Sequence, residues 1–159
     1  MAIRTTTVTI NAAFLREIKE DNQRLKELLA ELRRVLGGRG RAYALSRHAL
    51  IEMLSDFRDQ LATHFALEEA FGYFDEPLIA APRLAERAEV LRQDHAGLFV
   101  RLCGLVDQAE DTFQREPHER ACRLIAEQFR QFDADLQAHE QAENELIMEA
   151  FNADIGVGD

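Results

Sequence analysis

The sequence predicts an all-α protein, an antiparallel up-down-up-down four-helix bundle. In four separate stretches apolar residues recur every three or four positions, the period of an amphipathic helix. Short segments holding glycine or proline separate the stretches, and beyond the first ten residues no strand-like alternation occurs. Each stretch runs to roughly 25 residues, about 38 Å of helix, and short connections make consecutive helices antiparallel neighbours.

The first helix follows a Thr-rich start (Thr5 to Thr9) and is read from Ile18, Leu25, Leu28, Leu29, Leu32 and Leu36. Gly37, Gly38 and Gly40 stop it, as glycines past a helix end commonly do. The second carries Leu50, Leu54, Phe57, Leu61, Phe65 and Phe71 and ends before Asp75-Glu76-Pro77. Pro82 suits the first turn of the third, read from Leu84, Leu91, Leu98, Leu102 and Leu105. Pro117 does the same for the fourth, read from Ile125, Phe132, Leu136, Leu146 and Ile147. Residues 1–10 read as an N-terminal extension and 11–153 as the bundle, one domain in 159 residues.

Composition excludes several function classes. A hydrophobic share of 47% supplies a core and rules out a disordered chain. A net charge of −10 disfavours a nucleic-acid backbone or an anionic membrane surface as partner. No apolar run approaches the ~20 residues of a membrane helix, and the opening MAIRTTTVTI has no long apolar stretch of a signal peptide. Cys103 and Cys122 stand far apart, which speaks against a disulfide scaffold or a thiolate zinc site. The expected compartment is the reducing cytoplasm.

Polar residues interrupt the apolar stripes. On the second helix the inward set runs Leu54, Phe57, Leu61, His64, Glu68, Phe71; on the third, Leu84, Ala88, Leu91, His95, Leu98, Leu102. On the fourth it runs Ile125, Gln128, Phe132, Leu136, His139, Glu143, Leu146. His64 and His139 each have a glutamate four positions on, which stacks the pair on one helix face. Counting rise along the helices brings all five polar residues to similar depth, toward the end with the second connection. Buried carboxylates cost several kcal/mol each unless they are paired or bind a metal. Three histidines and two glutamates from three helices therefore point to a shared site for two divalent cations. Imidazole with carboxylate suits iron, manganese or zinc, and the lack of thiolates argues against copper(I) or an iron–sulfur cluster.

The motifs resemble those of a known family. His64-Phe65-Ala66-Leu67-Glu68-Glu69 resembles the H-F-x-x-E-E signature of hemerythrin-like, HHE cation-binding domains. Asp94-His95-Ala96-Gly97-Leu98 resembles their third-helix D-H-x-x-L, and His139-Glu140-Gln141-Ala142-Glu143 their closing H-x-x-x-E, over roughly residues 10–151. The resemblance implies a non-haem centre of two iron ions bridged by oxide or hydroxide, with manganese or zinc as alternatives. It implies His64, His95 and His139 as terminal ligands and Glu68 and Glu143 as bridging carboxylates. It also implies oxygen binding, oxygen or redox sensing, or iron handling, with O2, NO or peroxide as the small ligand, in a binding protein ahead of an enzyme.

Two positions depart from that pattern. Where the family has a first-helix histidine, this chain has Asn22-Gln23-Arg24-Leu25. Asn22 is read as a weak or water-mediated contact, with Glu17, Glu20 and Asp21 as alternatives. Phe99 stands where oxygen carriers have a second third-helix histidine. Three imidazoles and two bridging carboxylates supply about seven bonds against roughly ten to twelve positions on two irons. The expected site is thus more open and more easily oxidised than a dedicated carrier's. The rival readings are a ferritin-like di-metal oxidase or ferroxidase, whose E-x-x-H motif is absent from the sequence, and a metal-free helical interaction module. No downstream partner is identified, and homo-oligomerisation is left open.

The remaining candidates read as lesser. His48 turns away from His64 on the same helix, and His118 opens the fourth helix far from His139; both are expected in solvent. Cys103 and Cys122 read as small core residues. The phenylalanines pack the core and dry the site's surroundings. Glu69 and Glu140, beside ligands, either orient imidazoles or lie exposed.

Overall fold

The computed structural model describes residues 2–37, 44–70 and 82–157, and the side chains of 16, 20–37, 44–69, 82–150 and 152. Phe71, Asp75-Glu76-Pro77, Gly38 and Gly40, and the side chains of Thr5 to Thr9, Glu17 and Ile18, lie outside these. The chain forms four long helices: α1 (Ala2–Leu36), α2 (Arg47–Ala70), α3 (Ala85–Arg115) and α4 (His118–Val157), with no strand among the described residues. α1 packs on α2, α2 on α3, α3 on α4, and α4 back on α1, closing a ring around a shared core.

Local signals set the helix ends. Gly37 follows α1 with its N–H bonded to the Arg33 carbonyl at 2.8 Å, and a Cβ there would lie 2.2 Å from that same oxygen. Only glycine fits so close an approach. Ser46 caps α2 by accepting the Ala49 N–H on its hydroxyl. Pro82 opens a 3₁₀ turn, Pro82–Leu84, and α3 begins at Ala85. The Glu116 N–H closes α3 on the Thr112 carbonyl, and Pro117 supplies the carbonyl that accepts the Ala121 N–H in the first turn of α4.

α1 and α4 are longer than the periodicity indicates. Residues 2–10, read from sequence as an extension, are the first turns of α1, and α4 runs to Val157. Threonine disfavours a helix interior by at most about 0.7 kcal/mol per residue, so a helix nucleated further along propagates through the Thr-rich start.

The main apolar core spans all four helices, with Leu32, Leu54, Phe57, Leu61, Leu102, Ile125, Phe129 and Leu136 almost fully buried. Phe57 meets Phe129 and Phe132 edge-on. A smaller cluster of Leu84, Ala88, Leu91, Leu146 and Ala150 lies beyond it, near the start of α3 and late in α4. Between the two apolar clusters, His95 follows Leu91 and Glu143 precedes Leu146, so the polar residues form a layer with hydrocarbon on both sides. No helix among the described residues is long and apolar enough to cross a membrane.

Candidate metal centre

The three histidines and two glutamates singled out from the stripes are all buried and in mutual contact. His64 Nε2 lies 2.8 Å from Glu68 Oε1, and His95 Nε2 lies 3.1 Å from Glu68 Oε2. His95 Nε2 is also 2.8 Å from Glu143 Oε1, which stands 2.5 Å from His139 Nε2. The result is a continuous run, His64–Glu68–His95–Glu143–His139, in which Glu68 turns one oxygen to each of two imidazoles. His95, His139 and Glu143 each present a ligand atom within 4.8 Å of the others.

These contacts leave hydrogen-bonding capacity unused. Among the described residues Glu68 Oε2 and both nitrogens of His139 are buried, and although Glu68 Oε2 and His139 Nε2 lie at ion-pair distance from a neighbour, none of the three atoms meets hydrogen-bond geometry. Buried polar atoms of that kind call for an explanation, a bound ion being one. Donor atoms each about 2.1 Å from one cation sit about 3 Å apart, close to the spacing these atoms already have. The residues present therefore fit a cation held by imidazole and carboxylate.

The titration behaviour follows from the same contacts. Burial alone would push the His64 imidazole down, but Glu68 and Asp21 on its two nitrogens outweigh it and raise the pKa to about 9. Burial likewise opposes the charge on His95, and Glu143, Glu68 and Glu69 raise it to about 10. Glu68 is held well below the usual carboxylate range by His64 and His95, against the opposing pull of burial. Protons on His64 and His95 thus offset the negative charge of the carboxylates around them, the role a cation takes when it displaces them. Burial, with the charges of Glu143 and Glu68, raises the Glu140 carboxyl, while His64 and Arg33 oppose the rise.

α1 contributes through a different residue from the one the sequence singled out. Asp21 is buried; its Oδ2 accepts from His64 Nδ1 at 2.8 Å and its Oδ1 from Gln60 Nε2 at 2.6 Å. Asn22 is only partly buried, and Glu20 is exposed. The stripe steps by four from Asp21 to Leu25 and Leu29, whereas Asn22 lies three before Leu25, one residue and about 100° around the helix from Asp21. Both positions border the core; the turn that brings Asp21 to His64 leaves Asn22 toward the flank.

Other expectations sort by burial. Glu69 orients an imidazole, accepting from His95 Nδ1 at 3.1 Å. Asp94, not singled out from the sequence beyond its place beside His95, brings a carboxylate oxygen to 3.7 Å from His139 Nδ1. Phe65 stacks on His95 with ring centroids 4.2 Å apart and meets His139 edge-on, closing the polar layer against the main core. Phe99 is partly buried. His48 is exposed, as expected, and meets Glu52 at 3.8 Å. His118 is exposed, stacks on Phe113 and brings its Nε2 to 3.7 Å from the Sγ of buried Cys122; Cys103 is partly buried.

A four-helix bundle carrying a buried layer of three histidines and two glutamates defines a helical cation-binding protein. The sequence profile of the Hemerythrin HHE cation binding domain matches residues 13–110, and the chain belongs to that family. The match covers most of α1, all of α2 and most of α3, so His139 and Glu143 join the site on geometry. No curated protein and no solved structure matches the chain.

Proposed function

We propose that this protein holds two non-haem iron ions in its core and binds or senses O2 or a related small redox ligand such as NO or peroxide. The observation that carries the reading is the run His64–Glu68–His95–Glu143–His139, in which the buried Glu68 Oε2 faces His95 and the buried His139 Nε2 faces Glu143 at close range without forming hydrogen bonds. His64, His95 and His139 would be terminal ligands, and Glu68 and Glu143 would span two ions. Manganese or zinc suits the same donors. Iron, when bound, supplies reversible electron transfer and open positions for a small ligand.

The chain's own residues do the rest. The carboxylates offset the charge of the cations, and apolar layers on both sides with Phe65 keep bulk water from the cluster. Neither Asn22 nor Phe99 is an imidazole, so the donor set is poorer than an oxygen carrier's, which favours sensing, peroxide or NO chemistry, or iron handling. The reading includes an antiparallel up-down-up-down order. It is supported by Arg47, at the start of α2, donating to the Phe113 carbonyl near the end of α3, and by Arg87, early in α3, pairing with Glu149 late in α4. A cytoplasmic setting and a separate protein that reads the signal complete it.

Anaerobic reconstitution with ferrous iron, followed by metal analysis and optical spectra on adding O2 or NO, tests the proposal. About two irons per chain, with a new absorption band on ligand addition, are expected. A metal content near zero would leave a helical interaction module; many-turnover oxidation of added ferrous iron would make the protein a ferroxidase.

A further inference from the structure

Each of the three buried histidines turns its Nδ1 away from the shared cluster and toward a carboxylate on the helix before its own. His64 on α2 donates to Asp21 of α1 at 2.8 Å, and His95 on α3 to Glu69 of α2 at 3.1 Å. His139 on α4 faces Asp94 of α3 at 3.7 Å. We propose that this relay of outer carboxylates aims the three imidazoles, so that every Nε2 points into the site, and that α1 serves the centre as the source of Asp21.

The chemistry is that of any imidazole with two unlike neighbours. A carboxylate on Nδ1–H fixes the ring's orientation and its tautomer, and leaves the Nε2 lone pair for a cation. Asp21 is a positioning residue: its two oxygens are taken by His64 and by Gln60, a second α2 side chain one turn earlier. That bracing, together with a side chain only 5% exposed, makes Asp21 the strongest member. Glu69 is 47% exposed and Asp94 50% exposed, and the latter stands beyond hydrogen-bond distance. A hydrogen bond to a charged group is stronger where water is excluded. The influence of the three therefore falls in the order Asp21, Glu69, Asp94.

The inference rests on the metal-binding reading for its consequence, though its geometry is testable without metal. Zinc, which is diamagnetic, serves as probe. Zinc affinity is measured by competition with a chelator, and the ring-nitrogen NMR signals of His64, His95 and His139 are followed in metal-free and zinc-loaded protein. Asp21→Leu is expected to weaken zinc binding by about 10–100-fold and to expose the His64 Nδ1 proton to rapid exchange while His95 and His139 keep their signals. Asp21→Asn, which retains the shape and loses the charge, should fall between. Glu69→Gln should move His95 alone with a smaller loss, and Asp94→Asn should move His139 least. Zinc affinity and His64 signals of Asp21→Asn equal to those of the wild type would overturn the proposal, whether or not Asp21→Leu folds. An Asp94→Asn effect exceeding that of Asp21→Asn would overturn it as well. Should the wild type take up neither zinc nor ferrous iron, the metal reading fails by itself. The exchange rate of the His64 Nδ1 proton in metal-free wild type and Asp21→Asn then decides the relay, with equal rates rejecting it.

Discussion

Helix α2 carries the same doublet twice, a histidine followed four residues later by a glutamate, with opposite results. His48 and Glu52 have side chains 89% and 65% exposed and meet loosely at 3.8 Å. His64 and Glu68, further along the same helix, are 10% and 7% exposed and meet at 2.8 Å. Spacing puts the two side chains of each doublet on one helix face; phase decides which face. His64 is three residues past Leu61, on the stripe that runs through Leu50, Leu54 and Phe57, whereas His48 is out of step with it. A motif of this kind gains meaning only in register with the apolar pattern around it. An exposed pair contributes from nothing to about 1 kcal/mol, while the buried pair holds charge that other elements must balance.

The sharpest way to break the contrast is to remove a buried carboxylate. Glu68→Ala and Glu143→Ala each take away a group that touches two of the three histidines, and each should reduce reconstituted iron from about two per chain to one at most, by metal analysis. The matching change outside, Glu52→Ala, should leave iron content as in the wild type. Full iron content in Glu68→Ala would show that the carboxylate does not span two ions.

The apolar layers permit a second comparison, between groups that hold the fold and groups that hold the cation. Phe57→Ala, in the main core, should lower unfolding free energy by about 3–5 kcal/mol in denaturant titration, through lost burial and a cavity. Replacing the polar layer as a set with apolar residues (His64→Leu, Glu68→Leu, His95→Leu, His139→Leu, Glu143→Leu) should leave metal-free stability unchanged or raise it by about 1–4 kcal/mol. A strong loss in that variant would mean that the layer specifies the fold as well as the site.

A third test uses the metal. A cation at about 100 times its dissociation constant stabilises the folded state by about 2.7 kcal/mol, provided that it binds only that state. At about 2–4 °C per kcal/mol for a domain of this size, ferrous iron or zinc should raise the wild-type Tm by about 5–10 °C, and a chelator should reverse the rise. Glu143→Ala should show a much smaller shift in the same melts.

These contrasts also explain how much the sequence made legible. Four helices and five inward polar residues follow from steps of three and four, because a helix repeats its facing over many turns and errors at its ends do not disturb the middle. Helix ends are another matter: nothing in Thr5 to Thr9 forbids helix, and α1 runs through them to Ala2. The first-helix contribution also exceeded what periodicity can resolve. Asp21 and Asn22 precede Leu25 by four and three residues, so both are compatible with the stripe, and the choice rests on where His64 turns its Nδ1. Asp94 was hidden for a related reason: its side chain is exposed on α3 and acquires a role only through the approach of His139 from α4.

The smallest expected effects lie at the two positions where sequence pattern and structure part. His48→Ala removes a histidine with a glutamate at ligand spacing, yet its side chain is in solvent, so stability should change by no more than about 0.5 kcal/mol and iron content not at all. Asn22→Ala should behave in the same way, because the inward position beside it belongs to Asp21. Metal analysis of the two variants beside the wild type checks both. Iron lost in Asn22→Ala would give α1 a direct hold on the metal, whereas iron retained there and lost in Glu68→Ala confines that hold to the buried layer.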